Sequence, residues 1–504
     1  VASDDTFDVV AIGGGTAGLV TAAGVAGLGA RAALVERDRL GGDCLWTGCV
    51  PSKALIASAR LAHDLGRAAA FGLPASRPRV DGAAVLDSVR DARARVQPHD
   101  DPARFRAMGV DVIEAEGRFR SPEVLEAGDR LIRARHFVIA TGSRPAIPRI
   151  PGLAETGYST NVEVFERSDL PRSIAVIGGG PIGVELAQAL ARLGVEVTLI
   201  EMLEQLVPHE EPELADRLEA ILREEGVRVI TGRGVERVER AADGRRLQLA
   251  GDEASGGARR RGADEGPDAA DADRGTAQPG VVEADEILVA TGRRPNTEAL
   301  GLEAAGVRTD AGWVFVDDGL RTSARHILAA GDVTGGHLFT HVADHEARAA
   351  VQNALFPIRT RVRRDAIPWC TYTDPELAHV GLTERQARDR YGDGVRAHAY
   401  DLAGLDRAIT ERDPRGLVKI VTGRGGKILG GHILARGAGT MITEVALAMR
   451  HGIALGSLST LVHPYPTMSE GVRRAADAYR RSLLTGWRKR AVELAIRAGR
   501  VVPG

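Results

Sequence analysis

Residues 7–36 read FDVVAIGGGTAGLVTAAGVAGLGARAALVE, and residues 173–201 read SIAVIGGGPIGVELAQALARLGVEVTLIE. Each opens with a β-branched run, passes through G-x-G-x-x-G into an Ala-rich helical stretch, and closes on a second strand ending in an acid. In a βαβ unit of about 30 residues this is a dinucleotide-binding fingerprint. Gly13 and Gly178 permit the tight turn, Gly15 and Gly180 let backbone approach a pyrophosphate, and Gly18 and Gly183 let the helix lie close on the strand. The helix N-terminus offers free N–H groups and a positive dipole end to phosphate. Glu36 and Glu201 stand where a carboxylate accepts from ribose hydroxyls.

Working outward, FVIATGSRP (137–145) and ILVATGRRPN (287–296) resemble each other, each a buried strand running into a Gly turn. One follows each fingerprint, which predicts two nested Rossmann-like domains in an α/β fold. HILAAGD (326–332) is a further strand ending in Asp332, at the carboxyl edge where open α/β sheets bind ligands. Residues 240–279 are Ala, Gly, Asp and Arg with few large apolar side chains after Leu249, and read as a disordered insertion. From about residue 361, strands LVKIV (417–421) and ILGGHIL (428–434) and a helix at 441–451 read as a separate α+β domain. The expected divisions are 1–160, 161–284, 285–360 and 361–504.

The chain has 504 residues, which predicts three or four domains, and a formal charge of −2, which gives no pull toward nucleic acid. Residues 9–30 carry no charge over a length that mimics a membrane span, but their glycines make a poor spanning helix. Asp4, Asp5 and Asp8 replace the basic flank of a signal peptide. The expectation is a cytoplasmic protein with no integral membrane segment. The basic stretch 480–500 reads as one amphipathic helix, packed on its own protein or a partner subunit, with membrane-surface contact as the alternative.

Three cysteines exclude a disulfide-stapled scaffold. Two of them, Cys44 and Cys49, lie in GGDCLWTGCVPSKALI (41–56) at C-x4-C spacing. A zinc centre needs a second close ligand pair that the chain does not supply, so no metal site is expected here. Inert buried thiols are the plain alternative, and a redox disulfide is the remaining reading. Pro51 allows a helix to begin just after Cys49, and a thiolate near a helix N-terminus is stabilised.

The segment GGDCLWTGCVPSK closely resembles the redox-active signature of the flavoprotein pyridine nucleotide–disulfide oxidoreductases. Dihydrolipoamide dehydrogenase, glutathione reductase and mercuric reductase are members. The resemblance runs through both fingerprints, both ATG-x-RP segments, the AAGD strand and the C-terminal domain. It implies FAD on the first fingerprint with Glu36, Gly42, Thr141, Gly142, Asp332 and Thr340. It implies the nicotinamide nucleotide on the second with Glu201 and Gly292. Cys49 would lie under the flavin as the charge-transfer thiolate, and Cys44 would meet substrate. Lys53 would sit near the flavin and pair with Glu185. Thr340 and His341 would begin a helix aimed at the flavin. The C-terminal domain would form a homodimer and complete the partner's site. NADH is expected over NADPH, because Glu201 would face a 2′-phosphate and no Arg follows within 202–213.

The chain departs from its relatives at HPYPTMSE (463–470). Alignment on the trailing residues, through Glu470, puts Tyr465 where disulfide-reducing relatives carry a catalytic His. A tyrosine with its usual pKa near ~10 is a poor base at neutral pH. His463, two residues earlier in an extended segment, points to the same side and is the other candidate, with Glu470 as its orienter. Mercuric reductases also carry Tyr at this place. The leading expectation is therefore an enzyme passing electrons from nicotinamide through FAD and Cys44–Cys49 to a disulfide or thiophilic metal ion. The alternatives are dihydrolipoamide-type dithiol oxidation, or a flavin-only quinone or oxygen reductase with a vestigial Cys pair.

Overall fold

The computed structural model describes residues 5–76, 79–251 and 280–499. It divides into two compact units. Residues up to Leu206 together with Leu222–Arg363 form the first, and Val207–Ile221 together with the chain from Arg364 onward form the second.

In the first unit, Asp5–Ile12, Thr16–Gly27 and Ala32–Glu36 form the first strand–helix–strand, and Ser173–Ile177, Pro181–Arg192 and Glu196–Ile200 form the second. Asp5–Ile12 pairs in parallel with Ala32–Glu36 on one side and with Arg130–Ile139 on the other. The strand Ile327–Ala329 then adds to Arg130–Ile139, so the AAGD segment returns to the first sheet. The second sheet is parallel throughout, in the order Arg228–Ile230, Glu196–Ile200, Ser173–Ile177, Glu286–Val289. These strands are buried on both faces, as parallel sheets with helical crossovers require. The two Rossmann-like sheets are joined by the repeats themselves. Ser143–Pro145 of ATGSRP pairs antiparallel with Arg293–Pro295 of ATGRRP.

In the second unit the sheet order is Pro368–Thr371, Glu376–Gly381, Ile428–Ala435, Leu417–Thr422, Arg396–Asp401, with every pairing antiparallel. The two strands Leu417–Thr422 and Ile428–Ala435 are buried at every position. Helices Ala438–Arg450 and Glu470–Leu483 cover the sheet through Met441, Ile442, Val445, Val472 and Ala475.

Two expectations are corrected. The stretch 240–279 is not disordered from its start. Val235–Ala241 and Gly244–Leu249 form a hairpin, and Val281–Ala284 adds a third strand. Val238, Leu247 and Val282 are buried together there, enough apolar contact to order the hairpin despite its polar composition. Residues 252–279 lie outside the described residues. The basic stretch 480–500 is not one helix. Glu470–Leu483 and Gly486–Gly499 are separate, broken at Gly486, whose φ of 56° only glycine adopts without strain. Among the described residues, no helix is long and apolar enough to cross a membrane.

Candidate active site

Both fingerprint turns have the geometry their glycines permit. Gly13 and Gly178 each have φ 111°, and a Cβ on Gly13 would lie 2.4 Å from the Ala140 carbonyl oxygen. A Cβ on Gly18 would lie 1.7 Å from the Gly13 carbonyl oxygen, so the helix sits directly on the turn. The helices beginning at Thr16, Pro181 and Thr340 carry no side-chain cap, leaving their first N–H groups available to an anion. The Thr141 hydroxyl is buried with no hydrogen-bond partner. Glu36 accepts from the Gly14 N–H, and Glu201 accepts from the N–H groups of Gly179 and Leu203 at 2.6 and 2.9 Å. Each acid is thus fixed at the lip of its turn. Uncapped helix ends, Cβ-free turns and an orphaned hydroxyl fit a dinucleotide at each fingerprint.

The Cys pair is built against the first turn. Gly42 has φ 55°, and a Cβ there would stand 2.7 Å from the Gly15 Cα, so the short helix Gly42–Trp46 bearing Cys44 lies on the fingerprint backbone. Cys49 is the first residue of the helix Cys49–Gly66, whose N-cap, Gly48, supplies no side-chain bond. Both cysteines are free thiols here. Cys49 Sγ is 3.3 Å from Thr340 Oγ1. The hydrogen bond from Cys44, then the Thr340 hydroxyl and the Lys53 charge, lower the Cys49 thiol from 9.0 to about 6 despite burial. Cys44 moves the opposite way, because it donates to Cys49, is buried, and faces the Cys49 charge. The pair therefore holds one proton on Cys44 and the negative charge on Cys49.

Lys53 lies one turn along the same helix, and its Nζ is 2.8 Å from Glu185 Oε2 in the Pro181–Arg192 helix. That ion pair ties the thiol helix to the second fingerprint. Sequence reading missed a network beside it. Arg293 reaches Asp43 at 2.8 Å and donates to the Ser143 hydroxyl at 2.7 Å, which in turn donates to Asp332 at 2.6 Å. Burial raises the Asp332 carboxyl, opposed by Ser143 and Arg293. The signal lay in the quoted repeats, since Ser143 and Arg293 follow the two ATG turns that contain Gly142 and Gly292. Thr340 was assigned to the flavin-facing helix; its contact with Cys49 was not foreseen.

Tyr465, His463 and Glu470 lie in the second unit. The Tyr465 side chain is exposed, and its hydroxyl donates to Asp406 at 2.8 Å, which raises its pKa. His463 does not pair with Glu470 as expected. Its Nε2 is 3.1 Å from Glu444 and its Nδ1 3.2 Å from the Leu461 carbonyl oxygen, while Glu470 bonds Arg473 at 2.8 Å. The physical reason is local. Glu470 opens the helix Glu470–Leu483, where Arg473 sits one turn on, and Glu444 on Ala438–Arg450 reaches His463 instead. Both neighbours of the His463 ring are acceptors, so the ring is tied to Glu444 and the Leu461 carbonyl oxygen and not to Glu470.

Comparison with known proteins gives one answer. Residues 7–354 match the family model for pyridine nucleotide-disulphide oxidoreductases, and residues 367–476 match that family's dimerisation domain. A mercuric reductase of Streptomyces lividans is 36% identical, covering 94% of this chain and 96% of the relative. A dihydrolipoyl dehydrogenase of Thermus scotoductus is 35% identical, covering 94% and 97%. The solved structure of a Cu(II) complex of the HOCl-induced flavoprotein disulfide reductase RclA from Escherichia coli superposes with a TM-score of 0.79 at 27% identity, over 94% of this chain and 99% of that one. Two fingerprints, a polarised thiol pair between them and a matched dimerisation domain thus place the chain in the pyridine nucleotide–disulphide oxidoreductase family, as a flavoprotein enzyme that uses FAD and NAD(H).

Proposed function

We propose that the chain is a reversible dithiol–disulfide oxidoreductase of the dihydrolipoamide dehydrogenase type, with Cys44 facing substrate and Cys49 facing FAD. The observation that carries this reading is that Cys49 opens its helix 3.3 Å from the Thr340 hydroxyl, with the Lys53–Glu185 ion pair one turn on. In the oxidised enzyme a substrate thiolate attacks Cys44 Sγ, the Cys44–Cys49 bond breaks, and Cys49 leaves as thiolate. A lower leaving-group pKa speeds that displacement. The second substrate thiol then displaces Cys44, which takes up the proton, and the substrate departs as a disulfide. FAD, when bound, supplies two-electron exchange between the Cys49 thiolate and the nicotinamide. Gly13, Gly15, Gly18, Glu36, Gly42, Thr141, Asp332 and Thr340 would hold it, and Gly178, Gly180, Gly183, Glu201 and Gly292 would hold NAD(H). Lys53 keeps a positive charge beside Cys49, and Glu185 holds Lys53 in place.

No protein base is assigned to the substrate thiol. Tyr465 donates a hydrogen bond to Asp406, and His463 lies between Glu444 and the Leu461 carbonyl oxygen. This reading takes the substrate as thiolate, so dithiol oxidation should rise with pH toward the ordinary thiol pKa of ~8.5. The exposed Tyr465 phenol favours a second reading, in which a thiophilic metal ion meets the reduced Cys pair. Mercuric reductases among the relatives, and the Cu(II) complex of RclA, support it. The discriminating experiment compares NAD+ reduction by dihydrolipoamide with NADH oxidation by Hg(II), in wild type and Tyr465→Phe. Dithiol turnover that survives Tyr465→Phe and rises with pH supports the first reading. Turnover with Hg(II) alone, lost in Tyr465→Phe, replaces it with the second.

A further inference from the structure

The second unit holds a buried cluster that the redox reaction does not use. Glu210, His379 and His432 each offer a ligand atom, and these atoms lie within 4.8 Å of one another. Their residues are 4%, 1% and 0% exposed. His379 and His432 are direct cross-strand partners on Glu376–Gly381 and Ile428–Ala435, so their side chains share one face of the sheet. The two rings meet edge to face at 4.5 Å. Glu210 comes from the segment Val207–Ile221.

Proton accounting makes the cluster unusual. His379 Nε2 is 2.9 Å from the Gly381 carbonyl oxygen, and His432 Nε2 is 3.1 Å from the Leu382 carbonyl oxygen. A carbonyl only accepts, so each ring places an N–H there. His379 Nδ1 lies 3.0 Å from Glu210 Oε2, and His432 Nδ1 is buried with no hydrogen-bond partner. The other carboxylate oxygen of Glu210 accepts from Trp369 Nε1 at 2.6 Å, and the indole stacks on His379 at 3.9 Å. Two imidazoles and a carboxylate thus converge on one buried place, where His432 Nδ1 has no hydrogen-bond partner.

We propose that Glu210, His379 and His432 form a binding site for a borderline divalent metal ion of the Zn2+ class. Two imidazoles and a carboxylate are a donor set that such ions favour over Mg2+ or Ca2+. Both imidazoles donate their remote N–H to backbone carbonyls, and Trp369 orients the carboxylate, which is the outer shell that metal-bound residues carry. Ligand bonds of about 2.0–2.2 Å require donor atoms roughly 3.3 Å apart, so the side chains need to close by no more than about 1.5 Å. The ion would fasten the Val207–Ile221 segment to the sheet of the second unit.

The test uses the full-length, FAD-loaded enzyme in its oxidised form, so that Cys44 and Cys49 do not compete as thiolates. After chelator treatment and loading with Zn2+, elemental analysis should find one tightly held ion per chain. Trp369→Phe, which leaves all three ligands in place, should weaken Zn2+ binding about 10–100-fold. His432→Gln should weaken it further. Co2+ loaded in its place should give the visible absorption of a low-symmetry N/O site in wild type, a readout that needs no variant to fold. Absence of a tightly held ion in wild type, or unchanged Zn2+ affinity in folded His432→Gln, overturns the proposal and leaves a buried imidazolium–carboxylate pair.

Discussion

Replacing Thr340 with valine removes one of the contacts that hold Cys49 as a thiolate. The hydroxyl lies 3.3 Å from Cys49 Sγ, and with the bond from Cys44 and the Lys53 charge it brings the thiol from 9.0 to about 6. A hydrogen bond to a charged acceptor contributes about 1.5–3 kcal/mol. At about 1.36 kcal/mol per pH unit, its loss should raise the Cys49 pKa by roughly 1–2 units. The sign follows from the acid form. Thiolate is present above the pKa, so lowering the pH through it protonates Cys49 and abolishes its charge-transfer interaction with bound flavin. The assay is a pH titration of the long-wavelength charge-transfer absorbance of the anaerobic, two-electron-reduced enzyme. Wild type should lose the band around pH 6, and Thr340→Val should lose it at a pH one to two units higher. Coincident titrations would refute the assignment of Thr340 as a thiolate donor.

Gly18→Ala puts a Cβ 1.7 Å from the Gly13 carbonyl oxygen, so the purified protein should retain little FAD by absorbance, whereas Gly27→Ala, with nothing within 4 Å, should bind it normally. Glu201→Ala should narrow the preference for NADH over NADPH in kcat/KM, because the carboxylate fixed by Gly179 and Leu203 is what opposes a 2′-phosphate; a wild type indifferent to the two nucleotides would contradict this. If the active site is shared between the subunits of the homodimer, mixing Cys44→Ser with an inactive Glu470 variant under conditions of subunit exchange should recover part of the activity that each lacks. No recovery, with exchange demonstrated by a labelled subunit, would remove the shared site.

The nested fold was legible because its deciding signals are local. Both glycine turns, both flanking strands and the ATG-x-RP repeats appear in sequence as they do in space, and the repeats even pair with each other at Ser143–Pro145 and Arg293–Pro295. The Cys44–Cys49–Lys53 cluster was legible for the same reason, since it occupies barely three helical turns of chain. What depends on distant partners was not. Glu444 as the partner of His463, Asp406 as the partner of Tyr465, and Glu210 as the partner of His379 come from elements with no motif to mark them. The hairpin Val235–Leu249 was missed because its composition is polar and only three of its apolar residues, Val238, Leu247 and Leu249, are buried, too few to show a period. The helix break at Gly486 was missed because a lone glycine inside a helical pattern is a weak signal.

The central claim, that Cys44 and Cys49 form a working redox pair with bound flavin, is tested most directly by anaerobic reductive titration of the purified enzyme beside Cys49→Ser. The account predicts that wild type takes up twice the reducing equivalents per FAD that Cys49→Ser does, and that only wild type passes through a charge-transfer species on the way. Equal uptake by the two proteins, with no charge-transfer band in either, would contradict it.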